Sequence, residues 1–289
     1  MAVDDNVDDG VHVQVHVEVN VTVTAAEPHE LLEIARQAVR AASRVLAGAR
    51  AEEIRSKQNP RDLVTEWDLR SEAAIRSVLE DLAPGTAILA EEGGASGAPG
   101  GLRWLVDPIN GTVNFSHGLP LWSISVALED ADRTPIVGIV ASPALGWWFE
   151  AIAGRGARDH RGTPLAVSSQ TRLDRALLST GFPYDRASHP VNNFAEWEHM
   201  QRVAADCRRL GCASIDLCLV ACGWLDGYWE RRLSPWDIAA GGLIVAEAGG
   251  TVTSTTNGSF DPHSGEVVAT NGAIHTELIA ELARAADRR

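Results

Sequence analysis

Residues 104 to 115, Trp-Leu-Val-Asp-Pro-Ile-Asn-Gly-Thr-Val-Asn-Phe, constrain this chain more than any other stretch. A short apolar run ends in an acid, a proline and then a Gly-Thr turn. That order describes a buried strand whose C-terminal end delivers polar groups to a loop.

Around it the hydrophobic spacing predicts a mixture of elements. From Pro28 to Leu46, apolar residues Leu31, Leu32, Ile34, Ala35, Ala38, Val39, Ala42 and Val45 recur at helical spacing. Pro28 suits the first turn of that helix and Gly48 its stop. A second helix is predicted from about Asp68 to Leu82, with Ile75, Val78, Leu79 and Leu82 as its stripe. Strands are predicted at Thr86 to Ala90, Leu102 to Val106, Ser123 to Leu128, Ile136 to Ala141 and Trp147 to Ile152. Gly94 to Gly101 reads as a surface loop, and helical and strand patterns alternate after residue 190. The expected fold is therefore a layered α/β one, with no internal repeat.

The first two dozen residues are a separate object. Valine fills every odd position from Val11 to Val23, the strict alternation of an amphipathic strand without a local partner. Residues 1 to 27 are thus expected to be an N-terminal extension to a body over 28 to 289. Three fates stay open for it: adding to a sheet edge, pairing across a dimer, or having no fixed structure. His12 and His16 would share one strand face, and a solvated face is preferred to a metal site.

Composition excludes several functions. A formal net charge of −14 and a pI near 5.0 argue against a nucleic-acid or anionic-membrane surface, which needs clustered Lys and Arg. No apolar run approaches the ~20 residues of a membrane span, and the acidic N-terminus lacks a signal-peptide core. A soluble, cytoplasmic protein is expected. Four cysteines, at 207, 212, 218 and 222, match no zinc spacing and read as buried thiols on helices.

The acids carry the chemistry. Glu91 and Glu92 follow the run Ala87-Ile88-Leu89-Ala90, and Asp107 ends a second run, both at strand ends where α/β sheets bind ligands. Asp237 lies in Leu233-Ser234-Pro235-Trp236-Asp237, a helix start with Ser234 as cap. Each acid alone has a structural explanation. An acidic pair can be a solvated loop, and an acid in a first helical turn stabilises the helix dipole by ~0.3–1 kcal/mol. Together they offer the several oxygens that a hard divalent cation requires, and such cations would reconcile an acidic chain with an anionic substrate.

Five segments, in order, resemble the inositol monophosphatase family of magnesium-dependent phosphomonoesterases. They are Lys57 with Asp62-Leu63-Val64-Thr65-Glu66-Trp67-Asp68; Ile88-Leu89-Ala90-Glu91-Glu92; the Trp104 to Phe115 block; Gly211-Cys212-Ala213-Ser214 with Asp216 to Ala221; and Trp236-Asp237-Ile238-Ala239-Ala240-Gly241 with Glu247-Ala248-Gly249-Gly250. One position departs from the pattern: Asn110 stands where the family signature has its second aspartate.

The resemblance implies an αβαβα sandwich, a homodimer, and hydrolysis of a small phosphate ester with two or three Mg²⁺ ions. Glu91, Asp107 and the Ile109 carbonyl would hold the first ion, and Asp107, Asn110 and Asp237 the second. Two such ions, ~3.5–4 Å apart, activate water and neutralise the leaving alkoxide. Thr112, oriented by Asp68, would position that water, with Glu91 also in the catalytic set. Gly111 and Thr112 would cradle the phosphate, and Gly211, Cys212, Ala213 and Glu230 would meet the substrate. Glu230 reads equally as an exposed strand-end acid. Inositol monophosphate leads as substrate; histidinol phosphate, sugar and nucleotide phosphates stay open. So does a catalytically impaired protein, marked by Asn110, that acts by binding partners.

Overall fold

A computed structural model describes residues 27–57 and 59–286; the alternating valines and their two histidines lie outside that range. The first described element, α1 (Pro28–Val45), starts with a capping box between Glu27 and Glu30 and a proline in its first turn. Its buried stripe is Leu31, Leu32, Ala35, Ala38, Val39 and Ala42. A hairpin of β1 (Ile54–Ser56) and β2 (Leu63–Thr65) runs straight into α2 (Glu66–Leu82), where Thr65 and Asp68 form a second capping box.

Seven strands then build the larger sheet. They are β3 (Ala87–Ala90), β4 (Gly94–Ser96), β5 (Arg103–Asn110), β6 (Ser123–Glu129), β7 (Pro135–Ser142), β8 (Trp147–Ile152) and β9 (Ala157–Asp159), in the spatial order β4-β3-β5-β6-β7-β8-β9. Within this sheet, among the described residues, only β3 and β5 pair in parallel, which sets their C-terminal ends side by side. A one-turn helix, α3 (Thr112–Ser116), follows β5.

The second half adds β10 (Leu177–Thr180), α4 (Phe194–Val203), β11 (Asp206–Arg208), α5 (Ala213–Ala221), β12 (Gly227–Arg231), α6 (Pro235–Glu247), β13 (Thr251–Thr253), β14 (Glu266–Thr270) and α7 (His275–Ala286). Its sheet has the order β11-β10-β12-β14-β13.

Three apolar clusters stack these elements into an αβαβα sandwich. Residues of α1 and α2 such as Val39 and Ile75 pack on Val106 and Ile124 of the large sheet. In the middle, α5 and α6 bury Ile215, Leu217, Ile238 and Ile244 against Leu105 and Val140 on one side and Tyr228 and Val267 on the other. A helix pressed from two sides must be apolar all round, and every residue of α5 is buried. Met200 of α4 and Leu278 of α7 cover the outer face of the second sheet through Trp229 and Val268. Among the described residues, no helix is long and apolar enough to cross a membrane.

Three local expectations need correction. Gly94–Ser96, expected as loop, pairs antiparallel with β3, because backbone hydrogen bonds to an edge ask little of the side chains. Strand β5 continues past Val106 to Asn110, with a shift of register between Asp107 and Asn110 where Pro108 has no N–H to give. Cys207 sits on β11 rather than on a helix; Cys218 is buried within α5, and Cys212 and Cys222 flank it.

Candidate active site

The parallel pair β3 and β5 brings Glu91 and Asp107 to one edge, and the starts of α2 and α6 bring Asp68 and Asp237 to meet them. Asp68 is fully buried and closes its own helix: its Oδ2 accepts from the Thr65 backbone N–H at 2.8 Å and from the Thr65 hydroxyl at 2.6 Å. Its Oδ1 accepts from the Thr112 hydroxyl at 3.1 Å. The same hydroxyl lies 3.0 Å from the Ile109 carbonyl. Burial raises the Asp68 carboxyl pKa, and the Thr65 and Thr112 hydrogen bonds only partly offset this.

Asp107, Asn110 and Asp237 form one hydrogen-bonded unit. The Asn110 amide nitrogen donates to Asp107 Oδ2 and to Asp237 Oδ1, each at 2.8 Å. Asp107 Oδ1 accepts from the Ile109 N–H at 3.0 Å, and Asp237 Oδ2 accepts from the Ser234 N–H at 2.7 Å. Asp237 is therefore both a helix cap and a member of the cluster. Burial first, then repulsion from Glu91 and Asp237, pushes the Asp107 carboxyl well above its ordinary range. Burial raises Asp237 as well.

Glu91 and Glu92 share one cation, the Lys57 ammonium, at 2.7 and 2.6 Å. Beneath them the buried Glu72 accepts from the Glu92 and Gly93 N–H groups, each at 2.8 Å, and so fixes the turn that presents both acids. Burial raises Glu91 more than Lys57 lowers it.

A cavity of about 340 Å³ opens over this floor, lined by Lys57, Glu91, Asn110, Gly111, Gly211, Cys212, Ala213, Glu230 and Asp237, with Tyr184 and Arg209 at its sides. Asp68, Asp107, Ile109 and Thr112 lie in the layer beneath. Gly111 adopts φ +90°, which L side chains rarely adopt, and a Cβ there would stand a tight 3.1 Å from the Gly211 carbonyl, so glycine suits both the backbone and the close approach of the two loops. Asn114 ties the same loops, donating to the Leu121 and Leu210 carbonyls at 2.7 and 2.8 Å. Glu230 is buried rather than exposed at a strand end. It accepts from the Tyr228 hydroxyl at 2.5 Å, and burial raises its pKa to about 7.

The family model that matches residues 27–288 is that of the inositol monophosphatase family. The chain belongs to that family. An inositol-1-monophosphatase of Synechocystis is 43% identical over 255 residues, 87% of this chain and 88% of its own. The Nus factor SuhB of Haemophilus influenzae is 38% identical over 256 residues, covering 87% and 95%. The inositol monophosphatase structure from Anabaena superposes with a TM-score of 0.81 at 38% identity, covering 89% of this chain and 96% of that one. Membership of the inositol monophosphatase family gives family-level support for a phosphomonoesterase.

The donor set suits a hard cation in one place and resists it in another. Glu91, Asp107 and the Ile109 carbonyl offer only oxygens, the ligand type that a hard cation takes. Yet among the described residues no three His, Cys, Asp or Glu side chains are grouped so as to hold a metal ion. Two nitrogen donors interpose: Lys57 between Glu91 and Glu92, and Asn110 between Asp107 and Asp237. Lys57, Glu72, Asn114, Tyr228 and Ser214 carry no role that the sequence alone predicts. Lys57, Asn114 and Ser214 fall inside the resembling segments, which is a usable signal. Glu72, one helical acid among several, carries no such signal.

Proposed function

We propose that this chain hydrolyses the monophosphate of a small polyhydroxylated alcohol, inositol monophosphate first among the candidates, with Mg²⁺. The observation that carries this reading is the convergence, under one cavity, of the Glu91–Asp107–Asp237 carboxylates with the Thr112–Asp68 pair and a buried Glu230.

Glu91, Asp107 and the Ile109 carbonyl would hold a magnesium ion. When bound, it supplies charge neutralisation and a lowered pKa for the attacking water. Asp68 takes the Thr112 hydroxyl proton into a hydrogen bond, which leaves the Thr112 oxygen as an acceptor for that water. Gly111 and Thr112 present backbone N–H groups to the phosphate at the start of α3. Glu230, held by Tyr228, accepts hydrogen bonds from substrate hydroxyls. Lys57 donates to Glu91 and Glu92 and offsets part of the cost of burying them.

Phosphate release from inositol, glycerol, histidinol, sugar and nucleotide monophosphates, with and without Mg²⁺, tests the reading. Magnesium-dependent release from polyol phosphates is expected. No release from any ester would favour a second reading, a protein that acts by binding; the Asn110 amide bonded to both Asp107 and Asp237 is the observation that supports it.

A further inference from the structure

The surroundings of Asn110 leave its amide one orientation. Its Oδ1 accepts from the Ser214 backbone N–H at 3.2 Å, from the Ser214 hydroxyl at 3.0 Å and from the Cys212 thiol at 3.0 Å. A backbone N–H can only donate. Turning the amide over would set its NH₂ against Ser214 N–H and its oxygen against two carboxylates. The nitrogen side is equally committed, since both of its hydrogens are used, on Asp107 Oδ2 and Asp237 Oδ1. The amide oxygen is thus turned away from the carboxylates, and a donor occupies the gap between them.

We propose that Asn110 is a built-in substitute for one divalent cation. Its NH₂ fills the Asp107–Asp237 gap, so this chain takes one metal ion fewer than the same chain with aspartate at 110. Asp237 then serves as a hydrogen-bond acceptor and helix cap and not as a metal ligand. The inference rests on the magnesium-dependent reading above and narrows it to the Glu91–Asp107 position. The chemistry of the alternative side chain argues the same way. An aspartate at 110 would keep one oxygen on Ser214 and turn the other, with no hydrogen on it, toward two buried carboxylates. Three like charges on buried side chains repel, and a cation relieves them. With asparagine the unit is satisfied without an ion.

Metal counts decide the matter. The wild-type chain, Asn110→Asp and Asp237→Asn are stripped with EDTA and titrated with Mn²⁺ in a calorimeter, with equilibrium dialysis as a second count. Asn110→Asp is expected to bind one more ion per chain than wild type, and Asp237→Asn the same number as wild type. In EDTA, Asn110→Asp should melt below wild type and gain more from added Mn²⁺. Equal counts for wild type and Asn110→Asp, or an ion lost in Asp237→Asn, overturn the proposal. If Asn110→Asp folds only with Mn²⁺, the added ion is structural and the proposal stands; if it folds under neither condition, the Asp237→Asn count decides alone. Failure of wild type to release phosphate from any ester, with the counts as expected, removes the enzymatic reading and leaves this one.

Discussion

Thr112 has one proton and two acceptors, the Asp68 carboxylate at 3.1 Å and the Ile109 carbonyl at 3.0 Å. Its proton is therefore committed to these acceptors, which leaves an oxygen lone pair free to accept from a water. Thr112→Ala is expected to lower kcat by on the order of 10²–10⁴-fold, the usual span for a positioned proton-transfer group. The stability loss should be only about 1–2 kcal/mol for the buried hydrogen bonds removed. Thr112→Ser should recover most of the rate; a serine variant as slow as alanine would point to packing of the methyl group instead. Glu230 acts through its charge. Its pKa is raised to about 7 by burial, so it ionises only as the pH passes that value. An ionised carboxylate is the better acceptor for substrate hydroxyls, so KM for a polyol phosphate should fall as pH rises through about 7. In Glu230→Gln this limb of the KM profile should vanish, with kcat little changed. A profile unaltered by the substitution would remove Glu230 from substrate binding.

A bidentate ion pair adds to the apolar packing that holds helix α1 on the large sheet. Arg36 donates from Nε and Nη2 to the two carboxylate oxygens of Glu150 on β8, at 2.9 and 2.5 Å, and Trp148 adds a third donor at 3.0 Å. Burial alone would raise the Glu150 pKa, but these hydrogen bonds and the Arg36 charge outweigh it and hold the carboxyl below its ordinary value. The linkage sign follows: stability from this pair is present above the unfolded glutamate pKa and is lost as pH falls through the folded one. Arg36→Met should cost about 1–2 kcal/mol at neutral pH, reduced from the fully buried case because the guanidinium is partly exposed. The difference from wild type should close in acid. Thermal melts at pH 7 and near pH 4 measure both, and a gap that persists in acid would show that packing carries the effect.

All five resembling segments lie between residues 57 and 250, and the family match starts at residue 27. Deleting residues 1 to 24 should therefore leave the melting temperature and metal binding unchanged. The valine alternation predicts a strand, which would offer unpaired backbone groups to a neighbour, so the deletion also probes assembly. Light scattering on both chains checks it: a dimer is expected from the body, by family resemblance, and the truncated chain reports whether the valine segment contributes. A truncated chain that cannot fold would place the segment within the core.

The chain's own letters were enough to mark the layers and the acids. Periodicity placed α1, α2 and β8 within a residue or two, since an amphipathic face is a local pattern that one buried side enforces. The order of motifs named the family, and the ends of apolar runs located Glu91, Asp107 and Asp237. What those acids bond to was not legible. The partner of Glu91 is Lys57, 34 residues earlier, and the donors that hold the Asn110 oxygen lie more than 100 residues later. Sequence could say that position 110 had lost a charge. Only the packing of α5 against the end of β5 decided which way its amide points, because a hydrogen-bond donor and an acceptor on one side chain are told apart by neighbours that the chain brings together from far away.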